Sequence, residues 1–221
     1  EYAGIFKQYG RKLKELIAFI KTKYLKKCIN GHGLCYLPNG KNMYKFFVLQ
    51  KTTTDKTPRE IHQTGLKEVA RLKGELESLK MKMGFGSSTL QQFYDKMRND
   101  PNNYYTTSAD VLQGYKDTKA NIERLIMLKY FRTQVKPYEI KAVPKEQEEG
   151  SPAAYYYPGN SSGRAGVFYV NTKNIKENPK FNMVALTLHE GNPGHNYQFQ
   201  YALDKNIPDY RVYATDGTAY A

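Results

Sequence analysis

The chain opens on a helical pattern. Between residues 3 and 27, Ile5, Phe6, Leu13, Leu16, Ile17, Ile20 and Tyr24 fall at helical intervals with lysines between them, the spacing that gives a helix one apolar stripe. The pattern stops near Cys28, where "INGHG" supplies turn residues, and "LPNG" at 37–40 supplies a second turn. "NMYKFFVLQ" at 42–50 is apolar but too short for its period to separate helix from strand. A clear start follows in "TPREI": Thr57 caps, Pro58 suits the first helical position, and Glu60 closes a capping box. Leu66, Val69, Leu72, Leu76, Leu79 and Met83 then form one stripe until "GFG". A shorter helix is predicted over 89–98, ended by "NDPNN". Ser108 opens a long one to Phe131, with Val111, Leu112, Tyr115, Ile122, Leu125 and Ile126 inward.

The character changes at Pro137. "YEIKAV" reads as a strand, "PKEQEEGSP" as an acidic, proline-bounded surface loop, and "AAYYYP" and "GVFYVNT" as two further strands separated by "GNSSGRAG". A helix then begins near Asn182 and runs through "MVALTLHE". The predicted fold is mainly α: a helical array over 1–136 without internal repeat, then a small β-sheet and a histidine-bearing helix over 137–221.

Composition narrows the picture. With 221 residues, 40% hydrophobic and 14% aromatic, the chain can bury a core in one large or two small domains and is not a disordered tail. No apolar run approaches the roughly 18 residues of a membrane span. The opening "EYAGIFKQYGRKLKELI" is neither a signal nor a transit peptide and reads as helix from within a protein, so any targeting segment is expected to be removed or not included. The net charge of +13 comes from lysines spread along helical faces without a nucleic-acid motif, the pattern of a solvated surface rather than a specific nucleic-acid binder. Cys28 and Cys35 are too few for a disulfide scaffold and allow either one small loop-closing bridge or two thiols. "NSS" at Asn160 is an N-glycosylation acceptor in a secreted protein. Both features point towards an extracellular location.

The chemistry is concentrated in "LHEGNPGHNYQFQ", residues 188–200. His189, Glu190 and His195 are a metal-site set, with the histidines at i and i+6 rather than the i and i+4 of the familiar zinc helix. On an unbroken helix six residues leave the rings about 120° apart, too far round to share one ion. Pro193 removes a helical N–H and collides with the carbonyl of His189, and Gly194 absorbs the distortion. A bulge or kink there brings His195 round to His189. The other reading is that the helix ends at Glu190–Gly191 and both histidines are ordinary.

"LHEGNPGH" resembles the H-E-x-x-P-G-H signature of domain-of-unknown-function family 885. "GLCYLPNGKNMYKFFVLQKTTTDKTPREIHQTGLKEVARL" (33–72) and "YYYPGNSSGRAGVFYVNT" (155–172) are similar to two further stretches of that family, so that the resemblance covers roughly residues 30–221. It implies a gluzincin-like zinc peptidase with His189 and His195 as metal ligands and Glu190 as catalytic base. The family's third ligand is a glutamate in an E-G-W-A-L-Y-like segment, expected where "DGTAYA" ends at Ala221, so the chain is expected to be the N-terminal and central part of a longer protein. Asn196 stands where many members carry another histidine.

On this reading the substrate is a peptide. Phe168, Tyr169, Val170 and Asn171 are candidates to bind it by strand addition at an exposed edge, and Arg164 is a candidate partner for its carboxylate. Tyr155, Tyr156 and Tyr157 pack the sheet or line the pocket. His32 and His62 have no part in the motif. The alternative is a non-catalytic binding or structural protein that keeps the fold without a complete metal site.

Overall fold

The lysine-rich opening stripe folds into a helix, α1 (Tyr2–Phe19), that runs on through a π turn at Ile20–Tyr24 and a 3-10 turn at Leu25–Lys27 before Cys28. It belongs to a computed structural model that describes residues 2–160, 162–205 and 207–212. By its contacts the chain divides into two units between Ala70 and Arg71.

In the first unit, the ambiguous run at 42–50 lies within a helix, α2 (Gly40–Thr52). Gly40 is the only buried described residue of 2–70. A Cβ there would lie 1.6 Å from the Leu34 carbonyl oxygen, so the chain entering α2 requires glycine. The next helix, α3 (Pro58–Lys82), spans the division and starts as the capping box dictates. The Thr57 N–H donates to Glu60 Oε2 at 2.7 Å, and the Glu60 N–H donates to Thr57 Oγ1 at 3.3 Å. The Thr57 hydroxyl, which also donates to Glu60, holds the Glu60 carboxyl below its ordinary range. Leu66, Val69, Leu72, Leu79 and Met83 of the α3 stripe are all exposed.

The second unit carries the core. After α4 (Leu90–Asn99), capped by Thr89 and Gln92, Thr107 caps α5 (Ser108–Ile122). Val111, Tyr115 and Ile122 point inward as predicted, but Leu125 is 49% exposed and Met127 takes the next buried place. The cause is a π turn at Glu123–Met127, which inserts one residue and shifts the helical phase before α6 (Leu128–Tyr130).

The three predicted strands form a sheet ordered β1–β3–β2: β1 (Glu139–Ala142) lies parallel to β3 (Val167–Val170), and β2 (Ala154–Tyr157) antiparallel to it. The "PKEQEEGSP" loop contains a 3-10 helix at Lys145–Gly150. One sheet face, with Phe168 and Val170, packs against Val111 and Tyr115 of α5 and against Met183 of α7 (Lys180–Glu190). Tyr115 meets Phe168 edge-on, with centroids 5.3 Å apart. Two short helices follow, α8 (His195–Asp204) and α9 (Asp209–Val212). The described fold is thus mainly helical with one small sheet, and none of its helices is long and apolar enough to cross a membrane.

Tyr115 gives the core a measurable pH response. Its hydroxyl donates to Asn178 Oδ1 at 3.1 Å, and burial pushes it from an ordinary 10 up to about 12. The folded state therefore holds this proton more tightly than the unfolded chain. Its contribution is complete below pH about 10 and is lost as pH rises through about 12, an effect on the order of 3 kcal/mol. Tyr115→Phe is expected to flatten the fall in stability across that window, as read by denaturant titrations of both proteins. Equal slopes would refute it.

Candidate metal centre

α7 buries Met183, Thr187 and Glu190 at helical spacing and ends there, with the Gly191 N–H bonded to the Thr187 carbonyl at 2.9 Å. The Asn196 N–H then reaches back to the Gly191 carbonyl at 3.0 Å, and α8 starts at His195. The Asn192–Pro193 peptide is cis. Two glycines make the bend fit. A Cβ on Gly191 would lie 2.1 Å from Tyr138 Oη, and one on Gly194 would lie 1.9 Å from the His189 carbonyl oxygen.

The helix therefore ends at Glu190, yet the two histidines still converge. Their ring centroids are 4.7 Å apart with planes at 79°, an edge-to-face pair. His189 is exposed, His195 half-buried and Glu190 buried. The break separates two short helices rather than resetting the phase of one.

Residues that the motif did not single out hold this bend. Asn196 is wholly buried; its Nδ2 donates to Asn192 Oδ1 at 2.8 Å and to the Lys136 carbonyl at 3.1 Å. Its Oδ1 accepts from the Tyr156 hydroxyl at 2.8 Å. Asn192 Nδ2 donates to Glu123 Oε1 at 2.7 Å, at the first residue of the α5 π turn. Burial first, then Glu123, pushes the neighbouring Tyr138 hydroxyl above the ordinary tyrosine range. The available signal was a pair of amides at i and i+4 around the Pro-Gly break.

The proposed peptide-binding strand is placed differently from the expectation. Residues 168–170 are not on an exposed edge, because β3 is the middle strand and is paired on both sides, and the Asn171 N–H already donates to the Ala153 carbonyl at 2.8 Å. Phe168 and Val170 are fully buried in the core, Tyr169 stacks on Tyr155 at 5.2 Å, and Asn171 Nδ2 bonds the Glu148 and Ser151 carbonyls. Strand addition at Phe168–Asn171 is therefore closed. Of the three tyrosines, Tyr156 faces the site, its ring 6.4 Å from that of His195.

Arg164 donates to the Pro158 carbonyl of its own loop at 3.3 Å and covers the ring of Tyr157, the last residue of β2, at 4.9 Å. Asn160 Oδ1 accepts the Arg164 N–H at 2.9 Å. Ser161 of the glycosylation motif lies outside the described residues, as does "DGTAYA". Cys28 and Cys35 are free, exposed thiols, and His32 and His62 are exposed.

Fold and site together define a mainly helical protein whose small mixed sheet leads into a bent His-Glu/His helix pair. The chain belongs to DUF885, the family described as bacterial protein of unknown function, whose profile matches residues 2–221. It is similar to a crystal structure described as "the putative lipoprotein from Colwellia psychrerythraea", with 28% identity and a TM-score of 0.69. That match covers 82% of this chain and 32% of the other, so the chain spans about a third of that protein's length. No curated protein matches it.

Proposed function

We propose that this chain forms part of a zinc-dependent, gluzincin-like peptidase. The observation that carries the reading is the 4.7 Å approach of the His189 and His195 rings across a bend built for it. Two imidazoles brought together in this way are ligands that suit zinc. Among the described residues no group of three or more histidine, cysteine or carboxylate side chains is gathered for a metal. By the family resemblance, a glutamate from outside the described residues completes the set.

His189 and His195 would hold the ion, which when bound supplies Lewis acidity towards a peptide carbonyl. The chain's own chemistry belongs to Glu190. One of its carboxylate oxygens takes the proton of the attacking water and then delivers it to the departing amine nitrogen as the C–N bond breaks. Its burial at 8% exposure keeps competing bulk water from this carboxylate.

Zinc analysis of the native full-length protein tests the metal. About one equivalent per chain is expected, and His189→Ala should lose nearly all of it. Equal zinc in the two proteins would end the metal reading and leave the non-catalytic binding protein as the better description.

A further inference from the structure

Among the described residues the His195 ring has two aromatic neighbours, His189 and Tyr156, and Tyr156 is fixed by a hydrogen bond. Tyr156 lies 6.4 Å away at 19° to the imidazole plane, and its hydroxyl donates to Asn196 Oδ1. Both ends of the hydrogen-bond run through Asn196 are groups that only accept. The Lys136 carbonyl accepts from the Asn196 side-chain nitrogen, and the Glu123 carboxylate accepts from the Asn192 side-chain nitrogen.

These two ends set every group between them. Asn192 must turn its oxygen to Asn196. Asn196, with both amide hydrogens used, must turn its own oxygen to Tyr156. The tyrosine hydroxyl is thereby the donor, and its ring is held beside His195. A buried network satisfied in only one sense has one geometry.

Resting on the zinc reading, we propose that Tyr156 and Asn196 are the positioning residues of His195, setting the plane of its imidazole before any metal arrives. Neither touches the reacting atoms. They act through the ring of His195, in the way that groups around a ligand tune metal affinity. Glu123, at the α5 π turn, is the far anchor of the same run.

The test uses full-length, metal-free protein and the NMR correlations between the imidazole nitrogens and the carbon-bound ring protons, assigned for the 4 histidines of this chain and recorded at one fixed pH for every variant. Exposed His32 and His62 serve as internal references. Tyr156→Phe, which removes one hydroxyl, should move the His195 signals and leave those of His32 and His62 in place. Its zinc affinity should fall by roughly ten- to a hundred-fold, with stoichiometry unchanged at saturating zinc. Tyr155→Phe, which alters the neighbouring ring stacked on Tyr169, should change neither.

Should Tyr156→Phe fail to fold, Glu123→Ala probes the same run from its half-buried end. It should move the His195 signals, and Glu123→Gln, which still offers an acceptor, should restore them. Unmoved His195 signals in folded Tyr156→Phe or Glu123→Ala would overturn the proposal. The two failures are distinguishable: if native protein and His189→Ala bind zinc equally, the metal reading falls, while the metal-free signals still decide the positioning.

Discussion

Replacing Gly194 by alanine is expected to drive the two histidines apart and to destabilise the protein by about 3 kcal/mol. The new Cβ would stand 1.9 Å from the His189 carbonyl oxygen, 2.4 Å from that of Leu188 and 2.6 Å from the His189 carbonyl carbon. All three are backbone atoms of the α7 terminus, so no side chain can swing aside to admit the methyl. Either α7 or α8 must shift, and each carries one imidazole of the pair. Zinc affinity should therefore collapse together with stability. Gly74→Ala is the matched control. It lies within α3 with nothing within 4 Å of the added Cβ, and there alanine should stabilise by up to about 1 kcal/mol through helix propensity. Thermal unfolding with zinc titration of both variants reads the contrast. A Gly194→Ala protein with native zinc affinity would show that the bend does not set the pair.

How far the chain itself disclosed this arrangement depends on the range of each interaction. The long helices were legible because their evidence is local: a capping residue, a partner three positions on, and apolar spacing sustained over several turns. Thr57 with Glu60 is of this kind, and the bonds it predicts are made. The run at 42–50 was not legible, because its period does not show over so few residues. The end of α5 departed from its pattern for another reason. A π turn leaves no mark in apolar spacing, and it exchanged Leu125 for Met127 in the core.

β3 carried a signal that alternation arguments pass over. "VFYV" is apolar throughout, as expected of a strand covered on both faces, and it is the middle strand. Reading it as an edge sent the substrate to a place where the backbone is already paired. The site divides in the same way. His189, Glu190 and His195 stand within seven residues of one another and announce themselves. Asn196 takes its partners from Lys136 and Tyr156, 60 and 40 positions away, and Asn192 takes Glu123 from 69. An amide in a motif is legible, but what satisfies it is a property of the fold. Whether the Pro193–Gly194 break ends the helix or realigns the histidines also resolves only in three dimensions, since the helix breaks and the rings meet nonetheless.

On the proposed peptidase reading, Glu190→Gln should cost the native full-length protein on the order of a hundred- to ten-thousand-fold in turnover while its zinc content stays unchanged. The substitution is close to isosteric at a buried position, so its effect on packing is small. Glutamine still accepts hydrogen bonds but cannot take up the proton of the attacking water or return it to the leaving nitrogen. His189 and His195 are untouched, which separates this loss from that of His189→Ala, where metal and turnover should vanish together. Release of new amino groups from a mixture of short peptides, followed beside zinc analysis on the same samples, measures both quantities. The pairing matters because low turnover alone would also follow from a collapsed site. If Glu190→Gln kept both its zinc and its native rate, the proton would have to travel through some other group, and the buried carboxylate beside His189 would be a structural acid.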